Sequence, residues 1–347
     1  MKYYVGLDVS MKNTSVCIVD ETGKIVHEST AKTDPHVLAD AIEKTGFKIE
    51  LIGFESGSLG HYLAQGFKER ALPAVCMDAR KLSPVLELRI NKTDKNDARG
   101  IADVLRTGMF TRVHSKPQEA IDKSAVLAMR RCIVNQRTDI KNHIRGILKT
   151  YGIRLGSTGP TKFRHAVNAR LDGIDQLVRT SIEGLLEIFD LLSQKIDAMN
   201  RELLTASVKD NNVQILMTIP GIGPITALTY KSEIFDPSRF KKSRTVGSYL
   251  GMTPTQYSSG DTHKQGRISK CGSSELRFLL TEAALVLITK SQKWSKLKAW
   301  GLKLMRKKGI KKASLAVGRK LAVIMHRMLI DQKEFIYGEP PQNNKAA

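Results

Sequence analysis

Apolar residues alternate with polar ones in short bursts over the first hundred positions. Beyond them they recur every third or fourth residue. Residues 3–9 (YYVGLDV), 15–19 (SVCIV) and 25–29 (IVHES), the last two separated by the turn Asp20-Glu21-Thr22-Gly23, predict three strands joined as a meander. Helical spacing follows over 37–44, an apolar strand over 49–54, a helix over 60–70 and a strand over 74–77. After a polar stretch a further helix is expected within 86–106. Strands and helices in this order predict an α/β domain with a mixed sheet over residues 1–110.

The periodicity then changes. Ile121, Val126, Leu127, Ile133, Ile140, Ile144, Ile147 and Leu148 predict one long amphipathic helix over 119–151. Ile174, Leu177, Val178, Ile182, Leu185, Leu186, Phe189, Leu192, Ile196, Met199 and Leu203 predict another over 171–204. The glycines and proline of 152–160 break the two, so 111–208 reads as a helical hairpin or coiled-coil linker. Residues 209–335 read as a mostly α domain, and 336–347 as a disordered tail. The fold class is therefore α/β plus mostly α.

Charge sharpens this division. The chain has 347 residues, 56 Lys+Arg, 34 Asp+Glu and a net charge of +22. Residues 1–110 hold 15 basic and 15 acidic side chains, and the remainder holds 41 and 19, which is the whole excess. From Ala283 to Ile330 there are 13 Lys/Arg and no acid. Such a basic half favours a polyanion through phosphate contacts and counterion release. Four dispersed cysteines, with no CxxC pair, argue against a zinc site or a disulfide scaffold and fit a reducing cytoplasm. No apolar run approaches the roughly 20 residues that span a bilayer, and the N-terminus lacks signal-peptide character.

Two sets of residues carry candidate chemistry. Asp8 lies on the first strand and Glu55 ends the central one; Asp94 and Asp97, three apart, share a face if their segment is helical. Carboxylates on buried strands are costly unless paired or bound to metal, and four from three elements suit a hard divalent cation. Farther on, Pro220-Gly221-Ile222-Gly223-Pro224 resembles a helix-hairpin-helix turn, whose exposed backbone N–H groups accept a phosphate. A loop rich in small and basic residues follows, containing Tyr257-Ser258-Ser259-Gly260, and a serine there is a candidate nucleophile on phosphate. Candidate nucleic-acid contacts are Gly221, Gly223, Lys241, Lys242, Lys264, Arg267, Lys270, Lys307, Lys308, Lys311 and Lys312. Trp294 and Trp300, set among lysines, suit either stacking on bases or packing in the core.

The runs GLDVS, FESG and NKTDKNDARGIADVLR resemble the RuvC-like domain of DEDD insertion-sequence transposases, the IS110/IS1111 group. GIGPITA, YLGMTP, YSSGDT and GRISKCG resemble the C-terminal domain of the same group. The resemblance implies an RNase H-like (RuvC-like) fold with Asp8, Glu55, Asp94 and Asp97 as ligands of Mg²⁺ or Mn²⁺. It implies Ser259 as the nucleophile, by its place in Tyr-x-Ser-Gly, with Ser258 its neighbour. It implies DNA donor and target, a noncoding bridge RNA, a homo-oligomer from dimer to tetramer, and a cytoplasmic, nucleoid-associated setting in a bacterium or archaeon. The competing reading is a RuvC-like metal-dependent endonuclease without a covalent intermediate; a non-enzymatic nucleic-acid binder is a third.

Overall fold

The computed structural model describes residues 1–87, 91, 93–260 and 262–338. The chain divides into two compact units, Met1–Lys116 and Pro117–Ala347. In the first, β1 (Tyr3–Val9), β2 (Asn13–Asp20) and β3 (Ile25–Lys32) form the antiparallel meander. After α1 (Pro35–Glu43), β4 (Ile49–Glu55) pairs parallel with β1; after α2 (Gly60–Glu69), β5 (Ala74–Met77) pairs parallel with β4. The order is β3-β2-β1-β4-β5.

Alternation assigns the two faces of this sheet. Val5, Leu7, Val16, Ile18, Ile52 and Phe54 point one way and pack on Leu38, Ile42, Leu63 and Phe67 of α1 and α2. Tyr4, Cys17, Val19, Val75 and Met77 point the other way. That face is covered by α3 (Ala79–Leu86) and α4 (Asp94–Thr107). Helix α3 was not expected from the sequence, and the helix expected within 86–106 is α4. Asp78 caps the first, accepting from the Arg80 N–H, and Thr93 caps the second, accepting from the Asn96 N–H. Residues 88–90 and 92 of the intervening polar stretch lie outside the described residues.

In the second unit α5 (Gln118–Thr150) and α7 (Gln176–Val208) are the two long helices, each of 33 residues. Between them the structure adds α6 (Pro160–Asn168), which the glycine-rich break concealed. Phe163 and Val167 of α6 close a core with Ile144, Leu148, Ile182, Leu186 and Phe189. Arg164 fastens α6 to Glu183 and Asp190 of α7. Leu127 of α5 and Leu203 of α7 instead join the C-terminal core, so the hairpin and the C-terminal helices share one hydrophobic interior.

That interior is built from α8 (Asn211–Met217), α9 (Pro224–Ile234), α10 (Thr245–Tyr249), α11 (Ser274–Thr289), α12 (Lys296–Lys308) and α13 (Ile310–Asp331). The buried Tyr230 hydroxyl donates to the Ala322 carbonyl at 2.6 Å, joining α9 to α13. Between α10 and α11 stand two strands, β6 (Pro254–Ser259) and β7 (Thr262–Ile268), where a loop was expected. Residues 333–338 do not trail into solvent. Phe335 is buried, its N–H donates to Thr218 Oγ1 at 2.9 Å, and the Tyr337 hydroxyl donates to the Thr218 carbonyl at 2.8 Å. The rest of the expected tail, 339–347, lies outside the described residues.

The tightest joint in the first unit is the approach of α4 to β1. A Cβ on Gly6 would collide with the Ala98 carbonyl and the Ala102 N–H group. Gly6→Ala should therefore push α4 off the sheet and cost about 1–3 kcal/mol, the usual range for overpacking. Thermal or denaturant unfolding of the variant measures this directly.

Candidate active site and nucleic-acid interface

Asp8 and Glu55 emerge at the same end of the sheet. β1 and β4 are parallel and in register at Leu7 and Phe54, so the next residues of each strand are neighbours. Asp8 follows Gly6 by two and Glu55 follows Gly53 by two, so both carboxylates share the α4 face. The direction of α4 follows from its contacts. Gly6 meets Ala98 and Ala102, Gly53 meets Leu105, and the β2–β3 turn at Gly23 meets Arg106. Its C-terminal end thus lies over the start of β1, and its first turn, with Asp94 and Asp97, comes to the end where Asp8 and Glu55 project. Arg99 fixes this placement with two bonds to Glu28 of β3, at 2.6 and 2.9 Å. The Arg99 guanidinium holds the Glu28 carboxyl below its ordinary range.

Asp8 and Glu55 line one cleft, of about 420 Å³, together with Ser10 and Ser58. Asp94 and Asp97 stand at the start of α4, exposed and half-buried, and do not line it. Among the described residues, no three His, Cys, Asp or Glu side chains converge closely enough to hold a metal ion. The donors are nevertheless all oxygen, which is the set a hard divalent cation takes, with phosphate oxygens completing its shell. Cys76 sits beside this cleft, paired with Phe54 on the neighbouring strand. Burial, and then the charge of Glu55, push its thiol up to about 11, so it supplies no thiolate at neutral pH.

In the second unit Ser258 and Ser259 end β6, at the tip of an exposed hairpin. Ser258 faces His263 and Ser259 faces Thr262 across the turn. Ser258 Oγ lies 3.1 Å from His263 Nδ1. The base of the hairpin is clamped. Ser269 N–H donates to the Thr253 carbonyl at 2.9 Å and Lys270 N–H to that of Gly251 at 3.1 Å. Arg277 of α11 then donates to three carbonyls, Leu250 at 3.1 Å, Cys271 at 2.7 Å and Gly272 at 3.0 Å. Gly251, at φ +66°, has no room for a Cβ against the Cys271 backbone. Sequence reasoning missed Arg277, because backbone carbonyls leave no pattern in the sequence. It also missed the Ser258–His263 contact, because the exposed hairpin that brings the two side chains together carries no hydrophobic alternation.

The Gly221–Gly223 turn joins α8 to α9. Gly221 has φ +90°, and a Cβ there would strike the Ala283 carbonyl of α11, so this glycine is required by packing. Gly223 caps α9 and is open on its Cβ side. The turn borders a cleft with Lys293, Glu334 and Tyr337. Lys241, Lys242, Lys264, Arg267 and Lys270 are all exposed. Lys307 and Lys308 end α12 and Lys311 and Lys312 begin α13, so four exposed cations gather about Gly309. Trp300 packs against the core with Lys320 Nζ 4.1 Å from its ring centroid, and Trp294 lies half-buried against Gly338. Of the two roles open to these indoles, Trp300 takes the packing one, while Trp294 stays half-buried apart from the core.

Two family comparisons match successive stretches of the chain, the first covering the first unit and α5 of the second, the other lying within the second unit. Residues 5–153 match a transposase family of the DEDD IS110 type, and residues 213–299 match the transposase IS116/IS110/IS902 family. The chain is an enzyme of the DNA transposase class, and so binds DNA. It belongs to the IS110 group of insertion-sequence transposases, whose DEDD domain implies the use of a divalent metal. It is 27% identical over 339 residues to the transposase for insertion sequence element IS1111A of Coxiella burnetii, covering 96% of this chain and 91% of that one. It is 25% identical to a probable family 20 transposase of Pseudomonas aeruginosa over 80% and 83% of the two chains. A pilin gene-inverting protein of Moraxella bovis is 32% identical over 130 residues, 36% of this chain and 39% of its own. Among the described residues no helix is long and apolar enough to cross a membrane.

The clamp at Arg277 has a measurable consequence. A hydrogen bond from a charged donor contributes about 1.5–3 kcal/mol. Arg277→Ala should leave the helical core folded but speed amide exchange at Ser269 and Lys270 by at least about tenfold. Hydrogen-exchange mass spectrometry of the full-length protein reads this.

Proposed function

We propose that this transposase cuts and rejoins DNA through Asp8, Glu55, Asp94 and Asp97, holding Mg²⁺ or Mn²⁺, and through Ser259, which forms a covalent phosphoserine. The observation that carries the reading is the placement of Asp8 and Glu55 on adjacent parallel strand ends, with the first turn of α4 brought to that same end. The sheet order, with its antiparallel meander and two parallel strands, supports an RNase H-like layout for this unit. Bound there, the cation would neutralise charge on the scissile phosphate and orient it. The protein's own part is to hold the carboxylates on a rigid sheet edge and to present the serine on a clamped hairpin. Ser259 Oγ attacks phosphorus, a P–O bond to deoxyribose breaks, and the ester conserves the bond energy for rejoining.

The basic unit is the footprint for donor and target DNA and for a noncoding bridge RNA that selects them. The exposed cations from Lys241 to Lys312 and the open Gly223 cap of α9 supply the phosphate contacts. The enzyme acts as a homo-oligomer, dimer to tetramer, in the cytoplasm of a bacterium or archaeon, with the acids and the serine of one site drawn from different protomers. One observation favours a second reading of the nucleophile. Ser258, rather than Ser259, has an imidazole within hydrogen-bonding distance to take its proton.

Ser259→Ala should lose the protein–DNA adduct, cleavage and recombination together, each by at least roughly 10³-fold, while retaining RNA binding. Ser258→Ala should keep most activity; the reverse pattern establishes Ser258 as the nucleophile. Cleavage without any adduct would instead make the protein a water-using endonuclease. Asp8→Asn should abolish strand cleavage in Mg²⁺ with nucleic-acid affinity near normal.

Affinity should reside in the second unit and fall steeply with salt. Each duplex phosphate contact contributes about −0.9 to the log–log slope. A titration of the full chain should give a slope steeper than about −2, and residues 1–116 alone should bind weakly at any salt concentration.

A further inference from the structure

We propose that Lys264 is a catalytic residue. It stabilises the negative charge that builds on the non-bridging phosphate oxygens while Ser259 is joining phosphorus. The inference rests on the reading of Ser259 as nucleophile and adds the group that makes its attack productive.

The argument starts from the register of the hairpin. Tyr257 pairs with Lys264, Ser258 with His263, and Ser259 with Thr262. Successive side chains on a strand point to opposite faces, so Ser259, Tyr257, Thr262 and Lys264 share one face. Ser258, Gln256, His263 and Gln265 share the other. The two serines therefore look onto different chemistry. On the face of Ser258 stands an imidazole among neutral amides. On the face of Ser259 stands a primary ammonium.

Distance favours Lys264 over the other cations of this region. Diagonal neighbours across an antiparallel pair have backbones about 7–8 Å apart, and the Lys264 position is diagonal to Ser259. A flexible lysine stem covers that gap and sets its ammonium beside a phosphate held at Ser259 Oγ. Arg267 and Lys270 lie farther down the ribbon, toward the clamp at Arg277. Tyr257 completes the face, with its ring 69% exposed directly across from Lys264, where a flat apolar surface suits the base beside the scissile phosphate.

Chemistry gives the cation its role. As the Ser259 Oγ–P bond forms and the P–O bond to deoxyribose breaks, charge accumulates on the two non-bridging oxygens. The serine gives its proton to water and the departing sugar oxygen takes one from water, so Lys264 remains an ammonium throughout. In water such a contact is weak. With DNA over the hairpin the local dielectric falls, and a pre-placed cation counts for much more.

A substrate that lacks the charge isolates this role. Full-length protein with its copurifying nucleic acid is mixed with a duplex of the element's own junction. The scissile linkage is either the natural phosphodiester or a methylphosphonate, in which one charged oxygen is replaced by methyl. On the phosphodiester, Lys264→Met should slow adduct formation at least about 10²-fold with affinity within about threefold of wild type, and Lys264→Arg should stay within about tenfold. On the methylphosphonate, Lys264→Met and wild type should react within a few-fold of each other. Equal losses on both linkages, or a loss of affinity matching the loss of rate, overturn the role of Lys264 and leave Ser259 standing. An adduct absent from wild type, or persisting in Ser259→Ala, overturns the serine assignment and the proposal with it.

Discussion

The backbone of α4 lies directly on β1 because Gly6 has no side chain to hold it away. That one contact sets the geometry of the first unit. It brings Ala98 and Ala102 against the strand, lets Leu105 settle over Gly53, and fixes which end of the helix overlies which end of the sheet. Asp94 and Asp97 reach the neighbourhood of Asp8 and Glu55 only through it. The Arg99–Glu28 pair then resists sliding of the helix along the sheet, since a fork of two bonds is directional where apolar packing is not. The acids are consequently held from two sides of one joint, by strand ends and by a helix start.

The second unit solves a different problem. A two-stranded ribbon is marginal in water by itself. Here the ribbon bearing the serines is exposed along nearly its whole length, so its order derives from its root. Arg277 satisfies carbonyls from both ends of the segment with one guanidinium, and the glycines at 251 and 272 let the two ends close on one another. A stiff base with a reachable tip suits a group that must meet a phosphate outside the protein's own core. The Ser258–His263 contact adds a cross-strand tie near that tip.

The sheet was legible in the sequence almost residue by residue, since β1, β4 and β5 are short, apolar and bounded by turns. Asp8 and Glu55 stood out for the same reason, as charges where such strands end. Helix α3 was not legible, because it has only eight residues, holds Pro84 and starts from a single cap at Asp78. Helix α6 was hidden by the glycines and proline before it, although Phe163 and Val167 are what close the end of the long hairpin. The ribbon read as a loop because both of its faces are polar. Hydrophobic alternation reports burial, and a hairpin that buries neither face gives no such signal. Arg277 and the α4–β1 joint depend on backbone atoms, which the sequence does not display. Trp300 was ambiguous until Lys320 was seen above it, filling the ring face a base would have used.

The uneven charge of the chain has a kinetic meaning. The first unit is electrically neutral over residues 1–110, so it has little attraction of its own for a phosphate backbone. On the proposed reading it reaches its substrate as a passenger of the basic unit, to which it is covalently joined at Lys116–Pro117. A tether of this kind converts encounter into an intramolecular event at an effective concentration of order millimolar. Residence on the nucleic acid and access of the carboxylates to it would then be governed by separate parts of the molecule. On the proposed reading the basic unit, which also carries Ser259, would set how long the enzyme stays on the nucleic acid, and the carboxylates would reach the duplex through the tether alone.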